Sequence, residues 1–559
     1  MKIAIKREQS QTCLGFAERE QFAGISRKNT IKREQKPNLL EALPGASNLR
    51  KAKINYCIPV FLIFIMLVTA CDESLLDKTN PNQYTVDQYY EDASQLTAAT
   101  NGIYSEFYGA ALWGRMMQYF SDCRADEHSA GGGQIETHNA QLLNGSYDNG
   151  NYTIQVVWRG LYRMIHRANA VIEYGPQIVD IDADLLKQRV GEAKFLRAWA
   201  YYYLVVNWGK IPVYTETAKT SDDAKPLSEE SAVYELLESD LTAIINDLPV
   251  SSSDLGRATK GAAQLLLARV YMHQGKYSDA RTVLEAIYST QTYELVDNYA
   301  DNFREESEYN KESIFEISFA GSGFAWGEDG DNTNTRSTIM FQDYSPVGWR
   351  NCILSNKLLN DFESPYYGDA KEDPRLRETA YFTGDTYGPS GSPIVLTDAI
   401  QNGYSSVFHG QTIKASWKKY SPMYKLDPGG YYQSNINYRN MRFAEVIIKL
   451  AECENEVGTQ EKAIAYLNEI RDRASVSMPH YPTGRYVCNS KDEVMRAIMH
   501  EESVEFSNEK LRALDLARWR KNSKFSTLNP DPISYIASDP GKAYLVLPLE
   551  ETSTNTNID

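Results

Sequence analysis

Apolar residues recur every three or four positions over much of residues 91–300, the spacing of a helix with one buried face. The pattern predicts helices over roughly 93–109, 154–174, 184–207 and 232–247. In the second of these the stripe is Val157, Leu161, Ile165, Ala168 and Ile172. In the third, Ala193, Leu196, Ala200, Tyr203 and Leu204 repeat until Trp208-Gly209-Lys210-Ile211-Pro212. Gly and Pro there cannot carry the helix on. From about 300 to 440 the helical period fades, and Gly, Asn, Asp, Ser, Pro and Tyr dominate. One short run, Ser313 to Phe319, alternates as a strand does. Helical spacing returns at roughly 440–474 and 491–520, and the tail Tyr544–Pro548 is expected to fold back on the body. A long irregular stretch between periodic segments is functional or disordered. Its aromatic content argues against disorder.

Residues 261–284 resemble a tetratricopeptide helix pair: small Ala268 lets two helices approach, Tyr271 fills between them, Gly275 turns the chain, and Tyr277 and Ala280 open the second helix. A second pair is expected at 440–474, on Phe443, Ala444, Ile447, Leu450 and Ala451, then Ala463, Ile464, Leu467 and Ile470. Two pairs are too few for a free-standing solenoid, so the other helices must complete the stack.

The start of the chain reads as an address. Arg50-Lys51-Ala52-Lys53 precedes the uncharged stretch Ile54–Ala70, the layout of a secretory signal. The apolar run is short for a membrane-spanning helix, which needs about 20 residues. Leu67-Val68-Thr69-Ala70-Cys71 resembles a bacterial lipobox, which makes Cys71 the expected lipidation site. One acyl chain binds a membrane marginally, whereas two or more anchor stably. Asp72-Glu73-Ser74 resembles the surface-export signal of Bacteroidota lipoproteins. A signal of ordinary length begins near Leu49, so residues 1–49 are expected to precede the true start.

Composition is that of an ordinary globular chain, with 42% hydrophobic and 24% charged residues among 559. Net charge is −16, and residues 71–559 hold 46 Lys and Arg against 69 Asp and Glu. Such a chain repels polyphosphate, so nucleic acid is not an expected partner. The 38 Tyr suit either polar-ligand surfaces or helix packing. Seven Cys form no C-x-x-C pair and have no accompanying His cluster, which argues against a disulfide scaffold or a zinc site.

Several segments resemble the SusD/RagB family of Bacteroidota outer-membrane nutrient-binding lipoproteins. Glu192–Val205 followed by Trp208-Gly209-Lys210-Ile211-Pro212-Val213 carries the most specific resemblance. His500-Glu501-Glu502-Ser503-Val504-Glu505-Phe506 with Arg512–Trp519 resembles the C-terminal signature. Trp158-Arg159-Gly160-Leu161-Tyr162 with Ala168-Asn169, and Asp373-Pro374-Arg375-Leu376, also fit. The N-terminal extension has no counterpart in that pattern.

The resemblance implies a mainly α tetratricopeptide-type scaffold carrying an irregular, loop-rich ligand-binding region. It implies no catalysis. It implies capture of glycan, or in the RagB branch peptide, and delivery to a SusC-like TonB-dependent transporter from a lipid-anchored position on the outer membrane, facing the exterior. The expected organisation is a removed signal at 1–70 and a lipidated tether at 71–90. A helical region at 91–300 (tetratricopeptide pair at 257–288), the loop-rich region at 301–439 and a helical region at 440–559 follow.

Other motifs weigh less. His500-Glu501 lacks the second His of a zinc-protease motif, since position 504 is Val. These residues are expected to cap or bridge a helix. Gly321-Ser322-Gly323 with Gly327 misses the dinucleotide spacing by one residue. No cofactor is expected, though Asp329, Asp331 and Asn332 offer the oxygens a calcium ion wants. Arg512, Asp515, Arg518 and Trp519 have the spacing of structural ion pairs around a buried Trp. The ligand candidates are Trp113 with nearby Asp122 and Asp126, Trp326 in the Gly/Asp loop, and Tyr344 and Trp349. A sugar's apolar face stacks on a ring while its hydroxyls bond to polar side chains; core packing is the competing role for each ring. A surface glycosidase needs a carboxylate pair about 5–10 Å apart, and none is recognisable in the sequence. A pure protein-interaction scaffold is the remaining alternative.

Overall fold

The computed structural model of the protein describes residues 89–320, 336–389, 391–425 and 434–558. The signal, Cys71, the first part of the tether, Trp326 and the calcium candidates Asp329, Asp331 and Asn332 lie outside the described residues.

The first helical stretch comprises α1 (Ala93–Tyr104), α2 (Met116–Asp122), α3 (Thr137–Asn144), α4 (Tyr152–Tyr174), α5 (Ala183–Trp208), α6 (Glu230–Ile244), α7 (Lys260–His273) and α8 (Tyr277–Tyr288). Short α9 (Met340–Tyr344), α10 (Asn356–Asp361) and α11 (Arg375–Thr379) follow. The chain then forms α12 (Phe443–Val457), α13 (Gln460–Arg471), α14 (Lys491–Phe506), α15 (Arg512–Lys521), α16 (Ser534–Ser538) and α17 (Leu549–Thr554). The predicted helices are found close to their expected bounds, whereas α2 and α3 fall where periodicity gave no signal. Side-chain oxygens of Asn151, Asp182, Thr259, Thr459 and Ser490 each accept the backbone N–H three residues on, fixing where α4, α5, α7, α13 and α14 begin.

The helices stack as antiparallel neighbours. α4 packs on α5, α5 on α6, and α7 on α8, and α8 meets the α12–α13 pair. The two tetratricopeptide-like pairs are therefore one continuous stack. α5 is buried along its whole second half, from Phe195 to Trp208. The tail packs against its end: Leu545 N–H donates to the Asn207 carbonyl at 2.8 Å and Trp208 Nε1 to the Val546 carbonyl at 3.1 Å.

Among the described residues the strands form six two-stranded antiparallel ladders. These are β1 (His128–Ala130) with β5 (Cys352–Leu354), β2 (Ile211–Pro212) with β3 (Leu227–Ser228), and β4 (Ser313–Ile317) with β12 (Tyr438–Arg442). The others are β6 (Ala380–Phe382) with β11 (Ala415–Trp417), β7 (Thr386–Tyr387) with β8 (Ile394–Val395), and β9 (Ser406–Phe408) with β10 (Gln411–Ile413). The β4–β12 ladder matters most. It ties the exit of the loop-rich segment to its return, so an excursion of more than a hundred residues leaves the helical stack and re-enters it at one place. The expected strand at 313–319 is β4.

A buried ionic network fastens this base. Arg442, the last residue of β12, meets Glu312 at 2.6 Å, Glu505 at 2.7 Å and Glu509 at 2.7 Å. Arg473, just past α13, meets the same Glu312 and Glu505 at 2.6 and 2.8 Å. Arg375 of α11 reaches Glu505 at 2.9 Å, Glu501 at 2.6 Å and Asp373 at 2.7 Å. All of these side chains are essentially inaccessible to solvent. His500 bonds the Tyr481 hydroxyl at 2.5 Å and the Asp361 carbonyl at 2.9 Å. With Glu501 it bridges α14 to neighbouring loops, as its sequence context suggests. The C-terminal signature is structural too: Arg518 pairs with Asp515 at 2.6 Å, and buried Trp519 donates to Glu452 at 3.1 Å.

Burial alone would raise these carboxyls, but the guanidinium groups win. Arg473, Arg442 and Arg375 hold Glu505 well below the usual carboxylate range, and Arg473 and Arg442 lower Glu312 in the same way. A folded-state pKa below the unfolded value of about 4 gives stability that is present above pH ~4 and lost as pH falls further. Each such group contributes a slope of about 1.4 kcal/mol per pH unit. The urea midpoint should therefore drop steeply between about pH 4 and pH 2. Glu505→Gln should cost about 3–5 kcal/mol at pH 7 and flatten the acid slope by about one proton. Urea titrations across that range check both, and an unchanged slope in the variant would contradict the assignment.

Candidate ligand-binding site

The partly exposed sequence-nominated ring is Trp349, on the turn between α9 and β5. Its backbone N–H donates to the Gln342 carbonyl at 2.7 Å, which curls the turn back on α9. The Arg115 guanidinium lies 5.7 Å from the Trp349 ring centroid and 5.8 Å from that of Tyr119. Arg115 is itself gripped by both oxygens of Asp343, at 3.0 and 3.1 Å, and by Glu136 at 2.5 Å. Burial would lower the Arg115 pKa; Asp343 and Glu136 raise it instead, so the side chain stays a cation. Burial pushes the Asp343 carboxyl up, and Arg115 only partly offsets this.

Beside Trp349, three backbone segments converge. Gly131 N–H donates to the Asn351 carbonyl at 2.8 Å, and Tyr404 N–H donates to the Gly131 carbonyl at 2.6 Å. Arg350 nails the third segment down: its guanidinium donates to the carbonyls of Asn402 (2.6 Å), Tyr404 (2.7 Å) and Ala415 (3.0 Å) and to the Ser416 hydroxyl (2.7 Å). Burial pushes Arg350 down to about 10. The approach is so close that a Cβ on Gly131 would lie 1.7 Å from the Arg350 carbonyl oxygen, and one on Gly403 would lie 2.0 Å from that of Gly131. Gly403 also has φ +83°, a conformation other residues rarely adopt. The result is a rigid rim that presents Tyr404, 59% exposed, near the Trp349 turn.

The other nominated residues lie deeper. Trp113 is 1% exposed and stacks on Tyr438 at 4.1 Å, so both rings belong to the core. Tyr344 is 2% exposed, edge-on to Tyr119 at 5.4 Å. For these two, the competing role of core packing is where the structure puts them. Asp122 pairs with Lys510 at 2.5 Å. Asp126 grips Arg512 through both oxygens, at 2.7 and 2.9 Å, and meets Lys357 at 2.9 Å. These buried carboxylates are committed to cations. Arg115, Glu136, Arg350 and Tyr404 were not visible as site residues from sequence. The run Gly131-Gly132-Gly133 is the signal that could have pointed to the close backbone approach there.

A second concavity lies elsewhere. A cavity of about 570 Å³ opens between the outer face of α4, residues 214–224 and α17. Trp158, Tyr162 and Tyr214 form its aromatic walls.

Comparison with known proteins gives a consistent result. Residues 311–555 match the family model described as SusD family, and residues 74–272 match one described as starch-binding associating with outer membrane. SusD-like protein P25 of Formosa agariphila is 24% identical over 494 residues, covering 83% of this chain and 89% of that protein. The fold is shared with a structure described as a laminarin binding SusD-like protein (TM-score 0.65, 23% identity, 84% of this chain and 99% of that one). It is also shared with surface glycan-binding protein A from Bacteroides uniformis (TM-score 0.66, 21% identity, 84% and 99%).

The close backbone approach makes a sharp contrast among neighbouring glycines. Gly131→Ala and Gly403→Ala should each destabilise the protein by about 2 kcal/mol or more, because the rim must open. At Gly133 an added methyl group would meet nothing within 4 Å, so Gly133→Ala should change stability by no more than about 0.5 kcal/mol. Urea unfolding of the three variants tests this.

Proposed function

The chain belongs to the SusD/RagB family, and from that premise we propose that it is a non-catalytic cell-surface protein that binds oligosaccharide or polysaccharide nutrients and hands them to a SusC-like TonB-dependent transporter. In this reading Cys71 carries the lipid that holds it on the outer membrane, facing outward. The observation that carries the proposal is the rim itself: a partly exposed Trp349 and an exposed Tyr404 held by a glycine-tight junction beside the Arg115 cluster. Trp326, nominated from the sequence, belongs to the same proposal. The laminarin and surface-glycan descriptions of its structural relatives support sugar over peptide.

The chemistry fits capture and release. Covering about 40–60 Å² of ring contributes only ~1–1.5 kcal/mol. A few such platforms with hydrogen bonds give affinities in the micromolar to millimolar range, weak enough to pass cargo on. A backbone fixed before the ligand arrives loses little entropy on binding. Asp343 and Glu136, beside Trp349 through Arg115, are both engaged by that arginine.

The test is a carbohydrate-binding screen on protein lacking residues 1–71, alongside Trp349→Ala, Tyr404→Ala and Trp326→Ala. One glycan class should bind, with affinity reduced about tenfold or more by Trp349→Ala or Tyr404→Ala in variants that unfold like the parent. Failure of plant, host and microbial glycans to bind, with binding of peptides instead, would overturn the sugar reading.

A further inference from the structure

The sequence segment Trp158–Asn169 has no part in the rim, yet it forms one wall of the cavity of about 570 Å³ described above. We infer that this cavity, between α4, residues 214–224 and α17, is a second binding site for an uncharged glycosyl unit, separate from the Trp349 rim. The inference rests on the glycan reading above only for the class of cargo; the site stands on its own geometry.

The cavity's volume of about 570 Å³ lies within the range of small-ligand sites, and its lining is mainly apolar with a polar margin. Its aromatic walls form a corner. Trp158 and Tyr162 have centroids 4.8 Å apart at 48°, and Tyr162 meets Tyr214 at 6.0 Å and 88°. A pyranose ring has two apolar faces and an equatorial belt of hydroxyls, so rings at right angles can flank it while the margin meets its hydroxyls.

The corner is built rigidly. Tyr162 donates to the Pro212 carbonyl at 2.8 Å. Fully buried Asn169 donates to the carbonyls of Tyr214 and Glu216 at 2.9 and 3.0 Å, pinning the far wall to α4. Asn555, also buried, donates to the Lys225 carbonyl at 2.9 Å and to Glu551 at 2.8 Å, which pins α17 to the same wall.

Charge selects the ligand class. The lining carries Arg159, Arg163 and Arg167 against Glu216, Glu550 and Glu551. Arg159 meets Glu550 at 2.7 Å, and Arg163 and Arg167 meet Glu106 at 3.2 and 2.9 Å. The positive and negative groups balance, so neither a phosphate nor an ammonium gains from entering. Carboxylates keep lone pairs for hydroxyl donors, because each oxygen accepts more than one hydrogen bond. A wholly apolar ligand would instead displace water from these margin groups and return no hydrogen bonds.

The experiment uses the protein lacking residues 1–71, photo-crosslinked to diazirine-tagged neutral oligosaccharides of the laminari-, malto-, xylo- and manno- series, with peptide mapping. Three variants are compared: Ala218→Trp, which fills the cavity; Tyr214→Ala, which removes one wall without touching the core; and Trp349→Ala. Thermal unfolding confirms that each is folded. Labelling is expected in peptides spanning 158–169, 214–224 or 550–555 as well as near the rim. Ala218→Trp and Tyr214→Ala should cut the cavity labels at least tenfold and leave rim labels unchanged, and Trp349→Ala should do the reverse. Labels confined to the rim, or cavity labels untouched by Ala218→Trp, would overturn the inference while leaving the rim reading intact. No labelling anywhere would overturn both.

Discussion

Everything in this fold depends on keeping buried charge paired. A carboxylate or guanidinium taken out of water costs several kcal/mol unless a partner and further hydrogen bonds compensate. Glu505 lies at the centre: three arginines reach it from β12, α11 and the end of α13. None of these elements is adjacent in sequence to another, so the network forms only when the loop-rich segment and the C-terminal helices arrive together. Removing one partner leaves its neighbours charged, buried and unmet, and this enforces a single arrangement where apolar contacts alone would tolerate several.

The tyrosine-rich composition belongs to the same constraint. Tyr299 donates to the Glu505 carbonyl at 2.6 Å, Tyr481 to Glu501 at 2.9 Å, and Tyr438 to the Glu509 carbonyl. A phenylalanine would fill the same volume and leave those acceptors bare. Of the two roles the composition allowed for Tyr, packing with a polar end accounts for these side chains. A ring with a hydroxyl lets a helical core sit directly against an ionic one.

Much of the scaffold was legible because helices announce themselves locally. The stripe from Ala193 to Leu204 and the Gly209–Pro212 stop required no knowledge of any partner. The site was less legible because its determinants are distant in sequence. Trp113 reads as a loop aromatic until Tyr438, more than three hundred residues on, covers it. Asp126 reads as a ligand group until Arg512 neutralises it. Short α2, beside Trp113, is buried on every side and so has no polar face to set a period. Arg350 gave no signal because three of its acceptors are main-chain carbonyls, which every residue type supplies. Trp349 was legible for the opposite reason, lying in a turn rich in Ser, Pro and Gly with no apolar period around it.

That last arrangement bears on how such a protein changes over generations. Arg350 holds the segment at 402–404 by its backbone, and among the described residues no side chain of Asn402 or Tyr404 takes part in that grip. Exchange of either side chain leaves the acceptors where they are. The rim therefore behaves as a fixed socket with replaceable contents: position 404 can be rewritten without first re-solving the fold, provided the glycines at 131 and 403 and the arginine at 350 are left alone.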